Sequence, residues 1–345
     1  MDQLEHRKVI SGIQQIGVGV QDVHKAWKWY RKYFGMDIRV FEEAAPADLM
    51  IPYTGGKPRN RHAALALNMQ GGGGFEIWQY TDRTPQPPID EICIGDLGIY
   101  ATKIKSKSVN TTYDFYKVEK LNLSSDILSD PVNLSHFFVR DPFNNLFQVV
   151  NGNGWFKDEK KLTGASYGAI IGVSEIDNSK KVYSDILGYD TVVYDESGVF
   201  EDFKHLPGGD KTFRRVLLRH SKPREGAFSP VLGPSEIELV QMLKGEPVKK
   251  IFQDRYWGDL GFIHLCFDIR GMDKLREECK IKGFPFTVDA GDTFDMGESA
   301  GAFSYIEDPD GTLIEFVETH RVPILKKLGI YLNLRNRDPH KSLPR

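Results

Sequence analysis

Residues 15–35 read QIGVGVQDVHKAWKWYRKYFG, and residues 168–188 read GAIIGVSEIDNSKKVYSDILG. In both stretches an apolar run ends in Gly-Val and an acidic residue follows two positions later, Asp22 in one and Glu175 in the other. A Tyr (Tyr30, Tyr183) then stands five residues before a Gly (Gly35, Gly188). An acidic side chain fits a helix start, where it meets free N–H groups. The Gly fits the position just past a helix, where a left-handed backbone costs it little. After each Gly comes a β-like run, DIRVFE and DTVVYDE. A strand, a helix and a return strand are therefore written twice.

Working outward, residues 141–150 (DPFNNLFQVV) echo residues 308–317 (DPDGTLIEFV), with turn chemistry between two strands. Upstream of each lies another apolar strand, LGIYATKI at 97–104 and FIHLCFDI at 262–269. The repeating unit is a strand, a helix and three more strands, and it occurs four times, at 10–82, 92–152, 164–243 and 258–319. The second module is the least regular; its helix spans about 108–121 and is poorly amphipathic. The polar stretch 153–163 reads as an interdomain linker. The expected fold class is α+β: four βαβββ modules paired into two cupped mixed sheets. Modules 1 and 2 would form one domain (1–155), modules 3 and 4 the other (156–325), and 326–345 a solvated tail.

Bulk properties exclude some partners. Of 345 residues, 40% are hydrophobic and 27% charged, an ordinary globular balance. The net charge is −3 with no basic block, which argues against nucleic acid. No apolar run is long enough to span a bilayer, and the charged stretch 1–8 does not read as a signal peptide. Cys93, Cys266 and Cys279 form no metal or disulfide spacing, which points to a reducing compartment, and Cys266 reads as a packed core thiol. The expectation is a soluble cytoplasmic protein with a small-molecule substrate and no membrane partner, compatible with a homodimer.

The strand–Asp–helix–Tyr–Leu-Gly signature and the DPDG–x–x–IE ending together resemble the vicinal-oxygen-chelate superfamily of glyoxalase I, methylmalonyl-CoA epimerase, extradiol dioxygenases and bleomycin-resistance proteins. The resemblance covers nearly the whole chain. It implies that two modules form one cup, with a metal held by His or Gln from first strands and Glu from last strands. Carried onto this chain, the C-terminal pair of modules offers Glu238, His264 and Glu315, with Gly168 leaving the fourth position empty. The N-terminal pair offers Gln15, Glu76, Gly98 and Gln148, a weak donor set, and reads as non-catalytic.

On this reading Glu238, His264 and Glu315 would converge about 2.0–2.2 Å from a shared divalent ion (Zn, Mn, Fe or Ni). The second imidazole nitrogen would find an acceptor. Glu238 or Glu315 would act as base, and Tyr305 would line the cup or simply pack. Each residue also has a structural reading: a His in an apolar strand is commonly hydrogen-bonded core, and a strand Glu commonly faces water. Burying a lone charge costs several kcal/mol, which favours pairing or metal at all three positions. The resemblance implies a metal-dependent isomerase, epimerase or lyase acting on a small oxygenated substrate. The alternatives are a metal-free binding protein of the bleomycin-resistance type and an extradiol-type dioxygenase. The loop 50–62, with Lys57, Arg59 and Arg61, either covers the N-terminal cup and meets an anionic group or is solvated. His320 is expected at the surface.

Overall fold

The computed structural model describes residues 8–245, 247–291, 294–295, 300–325 and 330–344. Module 1 holds β1 (Val9–Gly19), α1 (Val23–Phe34), β2 (Ile38–Pro46), β3 (Asn60–Leu67) and β4 (Gly74–Tyr80). Module 2 holds β5 (Gly98–Ser106), α2 (Val109–Val118), the short β6 (Asn122–Leu123) and β7 (Leu128–Ser129), β8 (Ser135–Arg140) and β9 (Leu146–Asn151). Module 3 follows with β10 (Thr163–Gly172), α3 (Ile176–Tyr183), β11 (Thr191–Gly198), β12 (Thr212–Arg219), a single turn α4 (Ser229–Leu232) and β13 (Glu236–Lys244). Module 4 has β14 (Gly261–Arg270), α5 (Met272–Ile281), β15 (Val288–Asp289), β16 (Phe294–Asp295), β17 (Ala300–Glu307), β18 (Leu313–Leu325) and β19 (Ile330–Asn333).

The helix signals act as their chemistry requires. Asp22 accepts from the Lys25 N–H at 2.9 Å, and Glu175 accepts from the N–H groups of Asp177 and Asn178. Gly35 ends α1 at φ 63°, ψ 23°. Even the weak second helix forms, capped by the Ser108 side chain.

The pairing of modules differs from the expectation. One sheet runs β15-β17-β18-β14-β1-β4-β3-β2 and the other β11-β12-β13-β10-β5-β9-β8-β6. Modules 1 and 4 therefore share one sheet, and modules 2 and 3 share the other. The seam of the first is an antiparallel match of β1 and β14 along their whole lengths, from Val9 opposite Arg270 to Gly19 opposite Gly261. Three register shifts interrupt the seam, and between them it pairs the backbone groups of both strands. The division at 155/156 thus does not follow the sheets, each of which draws on both halves of the chain.

Modules 1 and 2, and likewise modules 3 and 4, meet instead through their helical faces. Tyr30 Oη donates to Asp141 Oδ2 at 2.6 Å, joining α1 to the turn between β8 and β9. Tyr183 Oη donates to Asp308 Oδ2 at 2.9 Å, repeating the contact between modules 3 and 4. The repeated Tyr and Asp-Pro are two ends of one bond. Around these bonds Phe34, Phe75, Phe147, Phe267 and Phe316 belong to one core that both sheets share, each burial worth about 1.5–3 kcal/mol. The tail is not a solvated end: β19 adds to β18, and the Leu343 N–H donates to the Ala227 carbonyl at 2.9 Å.

Candidate metal centre

The seam between modules 1 and 4 decides which side chains meet. Gly17 on β1 lies opposite His264 on β14 and beside Glu76 on β4; Cys266, two residues along β14, lies beside Glu315 on β18. Strand alternation then sends Gln15, Glu76, His264 and Glu315 into one cup. His264 Nε2 stands 3.1 Å from Glu315 Oε2 and 3.4 Å from Glu76 Oε2. The Gln15 amide nitrogen stands 3.4 Å from the same Glu315 oxygen and 3.5 Å from the same Glu76 oxygen. All four residues are buried.

These donors have the layout of a cation shell. Ligands about 2.0–2.2 Å from a common ion are separated by about 3.0 Å in octahedral and about 3.4 Å in tetrahedral geometry. Among the described residues neither ring nitrogen of His264 makes an aligned hydrogen bond, and Gln15 Oε1 is also unpaired and buried. Rotating that amide would present its oxygen to the same point. Burial works against protonation of His264, but the Glu315 and Glu76 carboxylates outweigh it and lift the imidazole to about 9. Two buried carboxylates thus call for a positive charge between them. The residues present fit a divalent ion.

His264 owes its position to Gly17. A Cβ on Gly17 would lie 2.4 Å from the ring's Cε1. The opposite wall is aromatic, with Trp257 roughly parallel at 6.1 Å between centroids and Tyr305 edge-on at 5.7 Å. Tyr305 is buried beside Glu315, its strand neighbour. Burial and then the Glu315 charge push its phenol well above the usual range, which keeps it protonated. Above the cluster opens a cavity of about 470 Å³ whose walls include Phe41, Leu65, Trp257, Phe303 and Val231, with Gln15, Glu76 and Glu315 at its base.

Glu238 does not join this cluster. It lies in the other sheet, where Lys103 reaches its Oε2 at 2.8 Å and Arg215 its Oε1 at 2.7 Å, and Tyr194 donates to it as well. Burial would raise its pKa, but the Lys103 and Arg215 charges win and hold the carboxyl well below its usual range. A carboxylate so held is a poor base. Gly168, expected beside the metal, lies in that sheet too; a Cβ there would strike the Glu236 carbonyl at 1.8 Å. Pairing also moves the module 2 position from Gly98 to Ala101, since Lys103 faces Gln148 as Cys266 faces Glu315. Ile170 lies beside Glu238 as Gly17 does beside Glu76, so the close approach that Gly17 gives the His264 ring has no counterpart there.

The structure therefore keeps His264 and Glu315 together, removes Glu238 and brings in Glu76 and Gln15, which the sequence reading had placed in the inactive cup. Only the grouping of modules stood between that reading and this set. Other expectations change as well. Among the described residues His264 Nδ1 has no acceptor, and His320 is buried, with an Arg335 guanidinium nitrogen 2.9 Å from its Nδ1.

The sequence pattern of the Glyoxalase/Bleomycin resistance protein/Dioxygenase superfamily matches residues 12–149 and 167–316. No sequence among curated proteins matches the chain. Among solved structures, a point mutant of glyoxalase I from Zea mays is similar at 13% identity, covering 92% of this chain and 95% of that one, with a TM-score of 0.56. A putative dioxygenase from Bacillus subtilis is similar at 13% identity, covering 90% and 86%, with a TM-score of 0.55. At these identities the likeness shows the fold. Among the described residues no helix is long and apolar enough to cross a membrane.

Proposed function

Taking as premise that this chain belongs to the Glyoxalase/Bleomycin resistance protein/Dioxygenase superfamily, we propose that it is a divalent-metal enzyme of the isomerase, epimerase or lyase type acting on a small oxygenated molecule. Gln15, Glu76, His264 and Glu315 would hold the ion. The observation that carries the reading is the convergence of Glu76, His264 and Glu315, from two modules far apart in sequence, to within 4.8 Å of one another. Their imidazole and carboxylate donors suit Zn, Mn, Fe or Ni. When bound, such an ion supplies Lewis acidity toward substrate oxygens.

The chain's own groups do the rest. Glu76 and Glu315 line the cavity, and either can take a proton from carbon beside a carbonyl and return it to the same or a neighbouring carbon. Tyr305 offers a proton to the oxygen on which charge develops. Trp257, Phe303 and Leu65 keep water from the reacting atoms.

Elemental analysis of the purified protein tests the centre. One ion per chain is expected in wild type and in Glu238→Gln, with loss in Glu76→Ala, His264→Ala and Glu315→Ala. Retention of metal in Glu76→Ala would show that the ion sits elsewhere. The proton-transfer role is tested by deuterium uptake from D2O into 2-hydroxyacetophenone, followed by NMR. No uptake above a Glu315→Ala control, with metal present, would favour the metal-free binding reading.

A further inference from the structure

A second group of metal-type donors lies on the other side of the same sheet. On β2 and β3, Glu43 and Arg61 line the cavity, so their neighbours Glu42 and His62 point to the opposite face. Ala44 stands opposite His62 in the register, which makes Glu42 the diagonal neighbour of His62 on the adjacent strand. The first turn of α1 brings His24 to the same place, just past the Asp22 cap. His24 Nε2 stands 2.7 Å from Glu42 Oε1, and His62 Nε2 stands 3.1 Å from that same oxygen. The two rings meet edge to face with centroids 5.2 Å apart. Arg39 Nη1 donates to the other carboxylate oxygen, Oε2, at 3.1 Å, which leaves Oε1 to the imidazoles.

Three separate elements thus aim two imidazole nitrogens and one carboxylate oxygen at a single point, and these atoms lie within 4.8 Å of one another. As ion pairs, side chains this exposed contribute little by themselves. As ligands they form the mixed nitrogen and oxygen set that suits zinc and its neighbours among the divalent metals. We propose that His24, Glu42 and His62 form a second divalent-metal site, of zinc type, which ties the start of α1 to the β2–β3 hairpin. His24 is 67% exposed, so water completes the coordination. The site shares no residue with the buried centre and does not depend on the function proposed above. With three ligands and open access to water it holds its ion more weakly than the buried centre. It empties when the protein is freed of added metal, so the one ion expected in the purified chain belongs to the buried centre.

Zinc titration of the metal-stripped full chain, followed by calorimetry, tests the site. Wild type should take up one tight ion and a second in the micromolar range. His264→Ala should lose the tight event and keep the weaker one. His24→Gln and His62→Gln should each weaken the second event at least about tenfold and leave the first unchanged. Glutamine still offers a hydrogen bond to Glu42, which preserves the local structure. In the His264→Ala protein, zinc should shift the ring-proton NMR signals of His24 and His62 together as the weaker event fills.

No weaker event in wild type would overturn the proposal and leave a hydrogen-bonded cluster only. So would a weaker event that survives in the double variant His24→Gln/His62→Gln. A missing tight event, with the weaker one present and lost in that double variant, would instead refute the buried centre and uphold this site.

Discussion

Gly17→Ala is the most direct probe of how the centre is assembled. Gly17 does not hold a left-handed φ, so alanine costs the backbone nothing there. The whole effect falls on His264. The new Cβ would meet the ring at 2.4, 2.6 and 2.7 Å, where ordinary contact begins at 3.4 Å, so the imidazole must retreat by 1.0 Å (3.4 − 2.4). Its retreat is toward Trp257 and Tyr305, both buried. Overpacking of this kind costs about 1–3 kcal/mol of stability. Moving Nε2 that far from the carboxylates costs about 10–100-fold in metal affinity, as when a ligand's support is lost. Competition with a chromophoric chelator reads the affinity, and urea unfolding reads the stability. Gly198→Ala is the control, since a Cβ there meets nothing within 4 Å. A Gly17→Ala protein that unfolds like wild type and binds metal within about twofold of it would refute the argument.

Three further outcomes are expected. Lys103→Met leaves Glu236 and Glu238 buried with one cation fewer, so urea unfolding should show a loss of about 3–5 kcal/mol with metal content unchanged; unchanged stability would mean that the network in the second sheet is dispensable. Burial raises Asp308 to about 6, against the hydrogen bonds that favour its charge. The folded state therefore holds a proton that the unfolded state releases near pH 4, and stability should fall as pH rises from about 4 to 6, by roughly 3 kcal/mol, then level off; Asp308→Asn should flatten that stretch of the profile. Removing metal with a chelator should lower Tm, with loading at a hundred times Kd worth about 2.7 kcal/mol, and Glu315→Ala should melt alike with and without the ion.

Local signals in the chain were legible wherever one segment carries its own physics. Asp22, Glu175 and Gly35 mark helix ends by short-range hydrogen bonding and backbone freedom, and these formed as read. The four-module repeat was legible because each strand–helix–strand unit repeats its polar punctuation. The partnering of modules was not, because the β1–β14 seam joins residues some 250 positions apart and every strand edge offers the same backbone groups. Glu76 and Glu238 look alike in sequence, each flanked by apolar neighbours. What separates them is the strand next door: β1 brings Gly17 beside Glu76, while the second sheet brings Lys103 and Arg215 to Glu238. Lys103, the charged residue amid IYATKI, was the visible sign that this cup carries its own cation.

The ring of modules also has a consequence during synthesis. β1 leaves the ribosome well before β14, and one of its edges finds β4 within sixty residues. The other edge must wait for β14, which begins at Gly261. At translation rates of 5–20 residues per second that wait lasts on the order of ten seconds or more. Through it an apolar strand lies with its N–H and C=O groups unpaired, the condition that invites pairing with another chain. Truncated products ending before β14 would carry the same open edge permanently. Their fate should be aggregation or chaperone capture, not release as stable N-terminal halves.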